Sequence, residues 1–502
     1  MKNGGAGFSR RAFLGAGAAL GAMAVVAPSR TGFARVPAPF VPTRTLTLAS
    51  GEAELRLLGP DKPATAIYAY DGEPFRQIRV PRGTRLEATY LNGLDEGSSL
   101  HFHGIRMPNE YDGVPPLTQP LVQPGGRFVH RLPLDDPGTF FFHPHCDETG
   151  QAGRGLVGAL IVEDPRDPHF DVDEVLCLKD WRLADDGGFL ELSEPDGASK
   201  AGTFGGTRTV NGVPVAEIAV PAGGDARLRI LNVDSTRIMD IGVEGAQAWL
   251  IAVDGHALPP ILLDELPDGI WRMGPAQRID IHVRMPLKGG PVTVGDYRAA
   301  DIYHFATLRA DGKRARKPGK EPHDKGEPGK GAPDKGALAL PRPELPFPEI
   351  ETAELHSFTL QQATDAAVKN LGLPPDDPLA KALVASFCVG ATTYWSIGQI
   401  SWSTGNRLGL PPPLAVMQEG RSYRIEIKNE TRYPHPIHLH GHAFYVISSS
   451  KGRLPQHFAD TVLVQPGEAV EIAFVAAPGD WVFHCHILEH METGMMGWFR
   501  VI

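Results

Sequence analysis

The run His484-Cys485-His486-Ile487-Leu488-Glu489-His490-Met491-Glu492-Thr493-Gly494-Met495, near the C-terminus, sets how the rest of the chain is read. A thiolate, an imidazole five residues on and a thioether ten residues on are three of the four donors of a blue copper centre. In such a centre two His and one Cys lie in a trigonal plane with a weak axial Met. The neighbours of Cys485 point to a second site. At the end of a strand, successive side chains face opposite ways, so His484 and His486 would project together, away from the sulfur. One strand would then serve two metal sites on its two sides, about 10 Å apart for oppositely directed side chains. A lone His-x-His is commonly two unrelated histidines, but Cys and His clustered at ligand spacing are costly without a metal or catalytic role.

Outward from this stretch, the chain repeats itself. Val80-Pro81-Arg82-Gly83 runs into Thr84-Arg85-Leu86-Glu87 and leads to His101-Phe102-His103-Gly104. Gln418-Glu419-Gly420-Arg421 runs into Ser422-Tyr423-Arg424-Ile425 and leads to His438-Leu439-His440-Gly441, so the two His pairs share an offset of 337. Likewise Gln123-Pro124-Gly125 leads to His143-Pro144-His145 and Gln465-Pro466-Gly467 to His484-Cys485-His486, with offset 341. The middle of the chain keeps the scaffold without the chemistry. Val220-Pro221-Ala222-Gly223 runs into Arg227-Leu228-Arg229-Ile230-Leu231-Asn232, but Ile238-Met239-Asp240-Ile241 stands where histidines would follow. This middle copy reads as a spacer that sets the distance between its neighbours.

The outer copies differ in one respect. In the first, Pro144 stands for Cys485, Thr149 for His490, Arg154 for Met495 and Ser98 for His435. Eight paired imidazoles, four from each copy, are therefore expected to meet at an interface and hold three coppers. A fourth copper would be private to the last copy, on His435, Cys485, His490 and axial Met495.

Short Val-, Ile-, Leu-, Phe- and Thr-rich runs, such as Arg85 to Leu91, Phe128 to Leu132, Leu156 to Val162, Arg227 to Leu231 and Arg424 to Lys428, are separated by turn residues. The 57 Gly and 46 Pro suit that pattern, so the fold class is all-β, of Greek-key sandwiches or barrels. Ser9-Arg10-Arg11-Ala12-Phe13-Leu14 and the apolar run Ala12 to Ala27 form a twin-arginine leader, with Gly32 and Ala34 small enough for cleavage nearby. That run of about 16 residues is short of the roughly 20 a membrane span needs. The expectation is export by the twin-arginine machinery to the periplasm, with no stable membrane anchor. A net charge of -10 gives no basis for nucleic-acid binding. Four Cys do not make a disulfide scaffold, and with Cys485 a ligand, Cys146, Cys177 and Cys388 allow at most one bridge, whose pairing the sequence leaves open. Asp311 to Lys335 is charged and low in complexity, and reads as an insertion without a core.

The four segments His101-Phe102-His103-Gly104, His143-Pro144-His145, His435-Pro436-Ile437-His438-Leu439-His440 and His484-Cys485-His486 with His490 and Met495 resemble the copper signatures of the three-domain multicopper oxidases. That family includes laccases, ascorbate oxidase and bacterial cuprous oxidases. The resemblance implies three cupredoxin domains, at 35–166, 167–310 and 346–502, after a leader at 1–34 and around a linker at 311–345. It implies four copper ions: a type 1 copper, a type 2 copper on His101 and His438, and a type 3 pair on His103, His143, His145, His440, His484 and His486. Dioxygen would be the acceptor and a phenol, aromatic amine or metal ion the reductant. Glu489 and Asp112 are the candidates for proton delivery or ligand orientation. The axial Met495 implies a lower potential than Leu or Phe would give. The substrate rim is expected around His435 and His490, including parts of Leu371 to Leu383. The absence of a Met-rich insertion leans against a dedicated cuprous oxidase, and a manganese(II) or cuprous metallo-oxidase is the alternative within the family. A non-catalytic or copper-buffering periplasmic protein is the alternative outside it.

Overall fold

The computed structural model describes residues 40–299, 301–314, 336–362, 393–402, 410–452 and 454–502, and Val41–Ile502 form one compact unit. The leader, most of the charged insertion, the Leu371 to Leu383 rim and Cys388 lie outside the described residues. The all-β expectation holds: the elements are strands in six sheets, joined by loops and a few short helices. Each quoted run falls on a strand: Thr84–Asn92, Arg127–Leu134, Gly158–Glu163, Asp225–Asn232 and Ser422–Asn429. Only Leu156 and Val157 precede theirs.

One strand order occurs three times. In the first sheet of each repeat, Arg44–Leu55, Val172–Trp181 and Glu354–Gln362 pair parallel with Thr84–Asn92, Asp225–Asn232 and Ser422–Asn429 respectively. Those three strands then pair antiparallel with Arg127–Leu134, Arg278–Arg284 and Ala469–Val475. In the second sheet of each, a parallel edge pair leads into antiparallel strands: Gly138–His143 beside His101–His103, Val292–Asp296 beside Met239–Glu244, and Gly479–Cys485 beside His435–Leu439. The ligand motifs occupy the same two strands in the first and last repeats, and the middle repeat presents Met239–Glu244 there instead.

A buried asparagine ends the same strand in each repeat. The side-chain oxygens of Asn92, Asn232 and Asn429 accept the N–H of Leu94, Asp234 and Thr431, two residues on, an Asx turn that stops the strand. Their amides donate to loop carbonyls at Glu96, Arg237 and Tyr433, at 2.7, 2.8 and 2.7 Å. Each Asn is thus satisfied although buried, and it directs the chain toward the strand that carries the histidines in the outer repeats.

Strands with one solvent face alternate, as in Ser422–Asn429, where Tyr423, Ile425, Ile427 and Asn429 point inward. Gly138–His143 and His435–Leu439 are buried throughout, because their second face meets another repeat. Between repeats the contacts are polar and closed. Arg278, fully buried, donates to Asp460 at 2.8 and 2.6 Å, and its backbone N–H donates to Asp254 at 2.9 Å. Burial and then the Asp460 charge raise Asp254 to about 7; burial alone would also raise Asp460, but Arg278 and His103 hold it well below the carboxylate range. Asn109 clamps the first repeat to the last, donating to the Asp480 carbonyl at 2.7 Å and accepting the Asp480 N–H at 3.1 Å.

His130, His256, His442 and His457 are buried outside the ligand motifs, and burial pushes each down to about 4. These folded-state values lie below the unfolded value of about 6.5, so the folded state binds fewer protons. Their stabilisation is therefore complete above about pH 6.5 and is lost as pH falls through about 4. Urea unfolding of the metal-free protein should show a midpoint that drops steadily over that window. A midpoint rising on acidification would mean that proton uptake by buried carboxylates such as Asp254, near 7 in the fold, outweighs the imidazoles.

Candidate metal centres

Strand pleating separates two groups of donors. In the antiparallel pair His435–Leu439 and Gly479–Cys485, Ile437 lies opposite Cys485 and His438 opposite His484. Side chains alternate, so His435 and Cys485 project from one face and His438 and His484 from the other. Across the first repeat, His101 lies opposite His143, with Phe102 opposite Phe142 on the core side.

On the sulfur face, Cys485 Sγ lies 3.6 Å from His435 Nδ1 and 3.7 Å from His490 Nδ1, and the two nitrogens are 3.1 Å apart. Donors about 2.0–2.3 Å from one ion in a trigonal plane stand roughly 3.5–3.7 Å from one another, so the triangle fits a metal with slight relaxation. His490 Nε2–H donates to the Lys200 carbonyl at 2.9 Å, which leaves Nδ1 its lone pair. His435 Nε2 is 2.7 Å from the Thr431 hydroxyl, placing its Nδ1 toward the sulfur as well. Burial lowers His490 to about 3 and His435 well below its ordinary value, so both rings are neutral. Met495 is fully buried; its N–H donates to the His490 carbonyl at 2.8 Å and its carbonyl accepts the Cys485 N–H at 3.0 Å. Trp395 covers both imidazoles, with ring centroids 4.5 Å from His490 and 5.2 Å from His435.

On the other face, the eight paired histidines converge. Nε2 of His440 lies 3.2 Å from that of His145 and 3.1 Å from that of His484. His101 packs 4.1 Å from His440, His103 stacks 3.7 Å from His438, and His486 lies 5.0 and 5.1 Å from His103 and His143. The tautomers are fixed from behind. Nδ1–H donates to a backbone carbonyl in His101 (Asp112, 2.6 Å), His143 (Pro144, 2.8 Å), His438 (Asp460, 2.8 Å) and His484 (Cys485, 3.0 Å). A carbonyl can only accept, so Nε2 of each ring carries a bare lone pair. His103 is reversed: its Nε2 faces Asp460 at 2.9 Å and its Nδ1 is without a partner. Nε2 of His101, His143 and His438 and both nitrogens of His486 are also buried and unpartnered. Each such atom costs about 1–3 kcal/mol, so gathering several at one point is explained by a cation that they bind.

Models described as multicopper oxidase match residues 57–167 and 387–502. A solved multi-copper oxidase from Pseudomonas thermotolerans is 32% identical, with a TM-score of 0.76, over 91% of this chain and 99% of that one. The chain belongs to the multicopper oxidases. Multicopper oxidase MmcO of Mycobacterium tuberculosis is 29% identical over 97% of this chain and 95% of its own length. Laccase-2 of Fomitopsis schrenkii is 27% identical over 80% and 78%. Membership makes copper the metal of this oxidase, and a set of imidazoles with a thiolate and a thioether fits copper.

Buried carboxylates stand among these histidines. Asp112, expected from the sequence, accepts His440 Nδ1–H at 2.9 Å on its side chain and His101 on its carbonyl, so one residue fixes imidazoles from both outer repeats. Gly113 follows at φ +85°, where a Cβ would meet the Leu100 carbonyl oxygen at 2.0 Å, so only glycine lets the loop press this close. Glu489, also expected, is buried beside His490 and accepts from the Thr203 N–H and, at 2.6 Å, its hydroxyl. Two carboxylates escaped the sequence reading. Asp460 bonds His103 and Arg278 but belongs to no motif. Glu148 is fully buried, 3.3 Å from His145 Nδ1 and 3.5 Å from His143 Nδ1, and burial raises it well above the carboxylate range. Its place three residues after His145, at the start of the short helix Glu148–Gln151, was the one available signal. His442 spends both nitrogens locally, donating to the His440 carbonyl at 2.8 Å and accepting the Ala477 N–H at 2.9 Å. Cys146 is disulfide-bonded, whereas Cys177 and Cys485 are free thiols.

Replacing Asp112 by Ala removes the acceptor of His440 Nδ1–H and frees that ring to turn, while the backbone carbonyl that takes His101 Nδ1–H remains. Copper retained after dialysis against graded chelator should then correspond to affinity weakened by about 10–100-fold, with Asp112→Asn intermediate. Retention equal to the parent would mean that the Asp112 carboxylate does not orient the His440 ring.

Proposed function

We propose that the chain is a laccase-like oxidase that takes electrons singly from phenols, aromatic amines or low-valent metal ions and passes four to dioxygen, releasing two waters. The observation that carries this reading is the pair of donor groups on opposite faces of one strand, joined through Cys485 itself. Bound copper would supply the redox chemistry, a single ion on the sulfur face and three on the other. His435, Cys485, His490 and Met495 would hold the first. His101 and His438 would hold a type 2 ion, and His103, His143, His145, His440, His484 and His486 a type 3 pair, making four coppers in all. We assign the repeats to cupredoxin domains at 35–166, 167–310 and 346–502, with 311–345 a linker and 1–34 a twin-arginine leader that sends the protein to the periplasm. No helix among the described residues is long and apolar enough to cross a membrane.

The residues divide the work. The Cys485 carbonyl accepts His484 Nδ1–H at 3.0 Å, so the sulfur ligand is linked to an imidazole of the other face by covalent bonds and one hydrogen bond. Trp395 and the buried walls exclude water from the sulfur site, so a bound ion would meet only the protein's own thiolate, imidazole and thioether donors, a set that suits copper. Four protons must reach the oxygen site for each dioxygen. Asp112 is in direct contact with His440 there, and Glu489 is placed beside His490, where Thr203 holds its carboxylate; these are the assigned proton-handling groups.

Copper-loaded protein should contain four coppers per chain, absorb in the blue-copper band and consume one dioxygen per four phenols oxidised; Cys485→Ser should abolish the band. A copper-loaded protein inert toward oxygen would instead be a copper buffer. Turnover with Mn(II) or Cu(I) but no phenol would make it a metal oxidase.

A further inference from the structure

A cleft of about 240 Å³ lies between the middle repeat and the Cys485 centre. Pro434, next to His435, and Ile487, next to His486, form its floor, and Ala201 follows Lys200, whose carbonyl accepts His490 Nε2–H. Phe204 lines the cleft and is 42% exposed. The Arg237 guanidinium lies 5.0 Å from the Phe204 ring centroid.

The charges around the cleft are unevenly spent. Asp296 is consumed: it accepts the Asp240 N–H at 2.8 Å, the Arg298 N–H at 3.0 Å and the Arg208 guanidinium. Arg237 is held by Asp180. Arg298 has only a long contact, 3.6 Å to Asp240, whose carboxylate is already taken by Arg272 at 2.7 and 2.8 Å. Among the described lining residues, Arg298 is thus the cation with N–H groups to spare, and no carboxylate is left to receive a metal ion.

We propose that this cleft selects single-ring phenols bearing a carboxylate, with the ring against Phe204 and the carboxylate on Arg298. This rests on the laccase-like reading above. The volume equals about eight waters at roughly 30 Å³ each, room for one ring and a short side chain. Planar guanidinium pairs well with carboxylate, and aromatic stacking on Phe204 adds contact area. The chemistry balances: four such phenols each lose one electron and the phenolic proton to give phenoxyl radicals, one dioxygen becomes two waters, and the carboxylates are unchanged.

The test compares ferulate with its methyl ester, and measures binding of para-methoxybenzoate, which has no phenol to oxidise. All three are read on the copper-loaded protein and its Arg298→Gln and Arg298→Lys variants. The ferulate-to-ester ratio of kcat/KM should fall about fivefold in Arg298→Gln, through KM, the size expected of a half-exposed ion pair. Para-methoxybenzoate affinity should weaken by about the same factor, and Arg298→Lys should recover part of both. An unchanged ratio with unchanged para-methoxybenzoate affinity overturns the proposal. Failure to oxidise either phenol would overturn the oxidase reading instead, and the para-methoxybenzoate isotherm would still decide the cleft.

Discussion

Imidazole lone pairs aimed into one buried point are the constraint on which the rest of the structure depends. Backbone carbonyls at Asp112, Pro144, Asp460 and Cys485 take the Nδ1 protons, so the opposite nitrogens cannot be satisfied by rotating the rings. Burial keeps His103, His143, His145, His440, His484 and His486 neutral, which preserves the lone pairs. Without a cation this arrangement is unfavourable, since Nε2 of His101, His143 and His438, Nδ1 of His103 and both nitrogens of His486 are buried with no hydrogen-bond partner. Metal binding is therefore coupled to the stability of the interface between the outer repeats.

Strand geometry turns that interface into two separate chemistries. A period of two places Cys485 and His484 on opposite faces although they are neighbours in sequence. One face is covered by Trp395, while the other opens toward the first repeat. A soft donor set and an all-imidazole set are kept apart yet share one backbone.

The middle repeat carries none of the paired histidines, but it contributes at two places. Arg278 neutralises Asp460, and Asp254 braces Arg278 by accepting its backbone N–H, so that Asp460 faces His103 with its carboxylate and His438 with its carbonyl. The segment from Lys200 to Phe204 fixes His490 from behind, receives Glu489 and supplies a wall of the cleft. Spacing alone, the role given to this repeat by the sequence, understates what it does.

The sequence by itself determined the repeated β-architecture and the histidine, cysteine and methionine positions. Both follow from local rules: strand alternation, turn chemistry, and the scarcity of His and Cys clusters at fixed offsets. Asp112 was legible because it sits in a Gly-bounded loop just after a histidine pair. Asp460 and the Arg298 cleft were not, because their roles arise from residues far apart in sequence, such as Arg278 against Asp460 and Phe204 with Pro434 in the cleft; Glu148 stands close to His145 in sequence, but its burial is set by packing. Which ring nitrogen each histidine presents was likewise decided only in three dimensions. It depends on the carbonyl or carboxylate behind each ring, and the packing of the three repeats brings several of those there.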